Sequence, residues 1–88
     1  MKYQVKFSES FNSEFKKLDH YTQIMIIAWI DKHIDGTDNP RNTGKALNNN
    51  LKGLWRYRIG DYRLICEIRD NELIILAMAI GHRREIYK

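Results

Sequence analysis

The first seven residues alternate, with Tyr3, Val5 and Phe7 apolar and Lys2, Gln4 and Lys6 polar. That period of two predicts a strand with one buried face. Ser8 and Ser10 offer helix N-caps ahead of Phe11, Phe15 and Leu18, whose spacings of four and three form one stripe of a short helix ending near Asp19. Asp19 can cap a second helix, with Ile24, Ile27, Ala28 and Ile34 as its core face and Gly36 as a left-handed stop. The two predict a helical hairpin. Residues 24–30 break the amphipathic pattern, because Ile-Met-Ile-Ile-Ala-Trp-Ile is apolar all round the helix. Either the neighbouring helix covers the outer side, or Met25, Ile26 and Trp29 meet another chain.

Residues 37–53 contain Pro40, Gly44 and several asparagines with little periodicity, which predicts a long connection of the kind that tends to be functional or mobile. Three strands follow, over residues 54–59, 62–69 and 72–80. The dipeptides between them, Gly60-Asp61 and Asp70-Asn71, favour tight two-residue hairpins. The last strand is apolar on both faces and is expected to be central, with the first strand beside it. The expected fold class is α+β: strand, two-helix hairpin, then a three-stranded antiparallel meander, with the helices packed on one face of a single, mostly antiparallel sheet.

A chain of 88 residues suffices for one domain, taken as residues 1–88. No apolar run approaches the length that spans a bilayer, and the opening residues lack the apolar core of a secretory signal, so a cytoplasmic location with no membrane partner is expected. Cys66 is the lone cysteine, and His20 and His33 lie in the helical half without ligand partners. No disulfide, metal or cofactor is expected.

Charge is divided unevenly. Residues 1–40 carry five lysines against six acidic groups, whereas residues 41–88 carry ten basic against five acidic groups and contain all seven arginines. Arginine presents a planar fork of donors that suits phosphate, so the sorting points to a polyanionic partner. Hairpin parity shows where the arginines gather. If Gly60-Asp61 is a two-residue turn, Ile59 opposes Tyr62, Arg58 opposes Arg63, Tyr57 opposes Leu64 and Arg56 opposes Ile65. Directly opposed residues share a face. Trp55, Tyr57, Ile59, Tyr62, Leu64 and Cys66 then pack on the helices, and Arg56, Arg58 and Arg63 collect on the other side. Opposed arginines repel, and an anion would remove that cost. Glu67 and Glu72 sit too far along the hairpin to neutralise the three. The last strand pairs with the middle one, so the chain beyond it, with Arg83, Arg84 and Tyr87, is expected to leave the sheet near Tyr62 and Arg63.

The run Trp55-Arg56-Tyr57-Arg58-Ile59-Gly60-Asp61-Tyr62-Arg63-Leu64, joined to Gly81-His82-Arg83-Arg84-Glu85-Ile86-Tyr87 and with Gly44-Lys45-Ala46-Leu47 upstream, resembles the RelE group of the RelE/ParE toxin superfamily. The resemblance spans essentially the whole chain. It implies the toxin of a type II toxin–antitoxin pair, an endoribonuclease that cuts mRNA in the ribosomal A site. It also implies catalytic positions at Arg56, Arg58, Arg63, Arg83 and Tyr87 and an antitoxin partner, for which the apolar Met25, Ile26 and Trp29 are the candidate contacts, while the basic Lys45, Lys52, His82 and Arg84 are the candidate RNA contacts. Well-known members carry lysines where Arg56 and Arg58 stand. Arginine is a poor base, so proton abstraction would fall to Tyr87 or another group, with Arg83 at the leaving oxygen and His82 as the backup acid. Two rival functions remain: a ParE-like toxin that binds DNA gyrase and cleaves nothing, and a nucleic-acid-binding module without chemistry.

Overall fold

In the computed structural model, which describes residues 1–82, Gln4–Phe7 form β1, Glu9–Phe15 form α1 and His20–His33 form α2. Of the three candidate caps Ser8 and Asp19 are used, Ser8 Oγ accepting from the Phe11 N–H at 3.0 Å and Asp19 Oδ2 from the Thr22 N–H at 3.1 Å, while Ser10 lies inside α1. Each satisfies one of the unpaired donors of a helix start. Gln23 locks the hairpin, its Nε2 donating to the Phe15 and Leu18 carbonyls at 3.0 and 3.1 Å. Gly36, at φ +82°, turns the chain back, and its N–H bonds the Tyr3 carbonyl at 2.8 Å. The outer edge of β1 is thereby covered by the end of the helical hairpin.

The face that α2 buries differs from the predicted one. Thr22, Ile26 and Ile30 are buried, followed by Ile34, while Ile24 is 56 % exposed and Ala28 is also exposed. A helix apolar all round carries no phase in its sequence, so the phase is set by which residues fit the sheet. Ile26 is fully buried in the core with Tyr57, Leu64 and Ile75, which corrects its assignment as a contact for another chain. Met25 and Trp29 are half-buried against the same core, with the Trp29 ring 5.8 Å from that of Tyr57.

With Lys45–Ala46 as β2, Trp55–Ile59 as β3, Tyr62–Arg69 as β4 and Ile74–His82 as β5, the sheet has five strands in the order β1-β5-β4-β3-β2, with β1 parallel to β5 and the other neighbours antiparallel. The central position of β5 beside β1 agrees with its two-sided apolar sequence. The additional strand, β2, is Lys45–Ala46 at the sheet edge, inside the stretch read as a featureless connection. Asp70-Asn71 is not a two-residue turn. Arg69 pairs with Ile74, and the four intervening residues form a 3₁₀ turn, Asp70–Glu72, closed by Leu73 at φ +56°.

Along β5 the buried residues are Ile75, Ala77 and Ile80, a step of two and then of three. Ile65 pairs with Ala79 but Cys66 with Ala77, so Met78 is the extra residue of a bulge. This bulge lies where β1 ends. There α1 takes over the exposed backbone: Ser8 Oγ donates to the Met78 carbonyl at 3.3 Å, and Glu14 Oε1 accepts from the Ile80 N–H at 2.9 Å. Among the described residues no helix is long and apolar enough to cross a membrane.

Candidate functional site

The register of β3 and β4 is the one the turn parity requires: Ile59 with Tyr62, Arg58 with Arg63, Tyr57 with Leu64, Arg56 with Ile65 and Trp55 with Cys66. Gly60 at φ +60° permits the tight turn. Tyr57, Ile59, Leu64 and Cys66 are buried under the helices, and burial pushes both the Tyr57 phenol and the Cys66 thiol well above their ordinary ranges. Neither is a ready nucleophile or base. By alternation Arg56, Arg58 and Arg63 stand on the opposite face. Arg58 is exposed, Arg56 half-buried, and Arg63 only 7 % exposed. The Arg63 Nη1 donates to the carbonyls of Gly60 and Tyr62 at 3.4 and 3.3 Å, so the β3–β4 turn fixes one edge of its guanidinium. Arg58 makes no ion pair among the described residues. Glu67 and Glu72 meet Arg69 at 2.7 and 3.9 Å, at the far end of β4.

The edge strand adds a cation. Lys45 is paired directly with Arg56, which puts it on the arginine side of the sheet. It is carried there by a strap, residues 37–44, that runs beneath the helix-facing side. The Tyr57 hydroxyl donates to the Pro40 carbonyl, and the Trp55 Nε1–H donates to the Thr43 carbonyl at 2.8 Å. Arg41 clamps Asp70 with two hydrogen bonds of 2.9 and 3.0 Å, while the Tyr3 hydroxyl donates to the same carboxylate at 2.6 Å. Arg41 lies in the stretch that the sequence reads only as a long connection. No local signal marks it, because its partner lies on another turn.

The Arg41 guanidinium, and after it the Tyr3 hydroxyl, hold the Asp70 carboxyl down to about 2. Its unfolded value is about 3.9. A depressed carboxylate stabilises the fold above its unfolded pKa, and that stabilisation is lost as pH falls towards the folded value. Asp70→Asn should therefore lower the melting temperature at pH 5 to 7. The gap from wild type should narrow between pH 4 and 2, as thermal melts across that range would register; a constant gap would contradict the clamp.

Of the other predicted residues, Lys52 is exposed in the β2–β3 connection, outside the ladder. His82 is a correction. It pairs with Tyr62, whose ring it meets edge-on at 5.6 Å, and with Glu14, Lys17, Leu18 and Ile80 it lines a cavity of about 420 Å³ on the helix side. Its neighbour Gly81 is the residue that pairs with Arg63, so alternation turns His82 away from the arginines. Arg83, Arg84 and Tyr87 lie outside the described residues. The last described residue, His82, pairs with Tyr62.

Comparison with known proteins agrees with the fold. Toxin RelG of Mycobacterium tuberculosis is 27% identical over 88 residues, covering 100% of this chain and 99% of that protein. A putative RelE-like toxin protein of Escherichia coli is 31% identical over 83 residues, covering 94% of this chain and 85% of its own length. A chain from the crystal structure of the RelBE2 toxin–antitoxin complex of Mycobacterium tuberculosis superposes with a TM-score of 0.85 at 24% identity, covering 97% of this chain and 95% of that one. Residues 5–87 match the family model described as the ParE toxin of type II toxin–antitoxin systems. The chain belongs to the RelE/ParE superfamily of type II toxins.

Proposed function

We propose that this toxin is an endoribonuclease that cuts mRNA in the ribosomal A site, by metal-independent attack of an RNA 2′-hydroxyl on the adjacent phosphate. The observation that carries the reading is the direct opposition of Arg58 and Arg63, with Arg56 and Lys45 on the same face. In the reaction the 2′-oxygen bonds to phosphorus and loses its proton to a base, and the 5′-oxygen leaves with a proton from a donor. The products are a 2′,3′-cyclic phosphate and a 5′-hydroxyl. Charge builds on the phosphorane oxygens, where fixed guanidinium groups stabilise it most. Arg56, Arg58 and Arg63 supply this electrostatic part. In this reading Tyr87 is the base, a phenol that neighbouring guanidinium groups would acidify, and Arg83 would contact the scissile phosphate. Lys45, Lys52 and Arg84 would contact the RNA backbone. A site rich in cations but poor in acids and bases depends on a substrate held in line, which accounts for a requirement for the ribosome.

The test incubates the purified toxin with ribosomes stalled on a defined message and maps the new RNA ends. Wild type should leave cyclic phosphates at the A-site codon, and Arg83→Ala and Tyr87→Phe should lose most of that activity. Intact message, together with inhibition of DNA gyrase supercoiling, would transfer the protein to the ParE-like function.

The partner in this reading is an antitoxin, as in the solved complex of the Mycobacterium tuberculosis relative. Its seat is a groove on the hairpin lined by Phe15, Ile24, Ile27 and Ala28, with His20 and Asp31 at its polar margin. That lining suits the apolar face of a helix. Ile24→Asp should weaken antitoxin binding by about tenfold or more while leaving the melting temperature nearly unchanged, since a buried aliphatic contact is worth about 1.5–3 kcal/mol. Trp29→Asp should instead destabilise the toxin itself. Calorimetric titration and thermal melts of both variants would separate the two, and full-strength binding by Ile24→Asp would remove the groove from the interface.

A further inference from the structure

We propose that, before an antitoxin binds, the groove on α2 is closed by a second copy of this chain, the two α2 helices lying antiparallel about a two-fold axis. The groove residues His20, Ile24, Ile27 and Asp31 step by four, three and four, the spacing of one seam between paired helices. They are also self-complementary. A two-fold interface sets residue i of one copy against j of the other, and j against i. With the axis at the level between Met25 and Ile26, Ile24 meets the partner's Ile27 and His20 meets the partner's Asp31, each contact occurring twice. The seam then has apolar layers at its centre and an imidazole–carboxylate pair at each end, a dry core with a polar rim.

The surface of a single copy fits this pairing. Ile24 is 56 % exposed and Ala28 is exposed beside it, so the groove presents apolar lining to water. Tyr21, 77 % exposed, falls beside the partner's Ala28, whose small side chain leaves room for the ring. Within one copy neither His20 nor Asp31 makes an ion pair among the described residues. An imidazole keeps an N–H in either protonation state, so His20 can donate to a carboxylate. A parallel pair would instead bring Asp31 against its own copy, like charge facing like. The contact is small, at the low end of interfaces that form transiently. An antitoxin helix entering the same groove therefore displaces the second copy.

Sedimentation velocity of the full-length toxin, run as a concentration series into the submillimolar range, should show a reversible monomer–dimer equilibrium. His20→Asp opposes two carboxylates at each end of the seam and should weaken the dimer by about tenfold or more. Adding Asp31→Lys to it exchanges the charges and should recover the dimer. Both substitutions suit α2 itself, an acid in its first turn and a base in its last, so neither should lower the melting temperature of the monomer. A toxin that stays monomeric throughout, a dimer indifferent to His20→Asp, or a double variant no better than the single one would overturn the pairing. Ile24→Asp should lose both the dimer and the antitoxin; loss of the dimer alone would retain the pairing and remove the antitoxin from the groove.

Discussion

Gly44→Ala should cost the fold about 2–5 kcal/mol, a large part of the stability expected of a domain this size. Two independent penalties combine. Gly44 sits at φ +89°, where an L side chain costs about 1–2 kcal/mol. A Cβ there would also stand 2.4 Å from the Arg56 carbonyl oxygen and 2.5 Å from the Trp55 Nε1, and relieving such overlap in a packed site costs about 1–3 kcal/mol. The oxygen belongs to the middle of the sheet edge and cannot move aside as a flexible side chain would. The contrast is Gly36, also at positive φ, where an added Cβ meets nothing within 4 Å. Gly36→Ala should cost only the conformational part. In urea unfolding Gly44→Ala should therefore show a markedly lower midpoint than Gly36→Ala. Hydrogen exchange should quicken at Ala46 and Trp55 even where global stability survives. Equal midpoints would mean that the strap is not packed against β3.

How much of this was legible beforehand depends on how local the signal is. The β3–β4 hairpin was readable residue by residue, because a two-residue turn leaves one register and alternation then decides every face. The phase of α2 was not. Ile24 and Ile26 are equally apolar, and only the sheet beneath distinguishes the residue that meets Tyr57 from the one that meets solvent. The β5 bulge at Met78 hides for a similar reason, since a strand apolar on both faces shows no break in alternation where one residue is added.

The strap was illegible from both ends. Lys45–Ala46 is too short for a periodic signature, and the bonds that hold it join Arg41 to Asp70 and Trp55 to Thr43 across the fold. The candidate site was therefore read in half: the Arg58–Arg63 pair from turn parity, but not the partnership of Lys45 with Arg56. His82 shows the opposite error. It is expected to contact RNA, and one residue of alternation puts it on the face opposite the arginines.

Arg58→Ala should lower cleavage of ribosome-bound message by about 10²–10³-fold, the usual effect of removing one fixed donor from a developing oxyanion, while stability should stay level or rise. The second half of that expectation follows from the ladder. Arg58 directly opposes Arg63, it is exposed, and it makes no ion pair among the described residues. Removing it relieves a repulsion worth a few tenths of a kcal/mol to about 1 kcal/mol and leaves no cavity. A residue kept for folding would show losses in both measurements. Arg58→Lys retains the charge but gives up the planar fork, so activity should fall less than in the alanine variant. It also introduces a group able to lose a proton, so its pH–rate profile should gain an ionisation that wild type lacks if the lysine takes part as a base. Rates from single-turnover reactions over pH 6 to 10, set beside melting temperatures, would decide the matter. A stability loss that parallels the activity loss in Arg58→Ala would make the opposed arginines structural and leave the phosphorane without its proposed stabilisers.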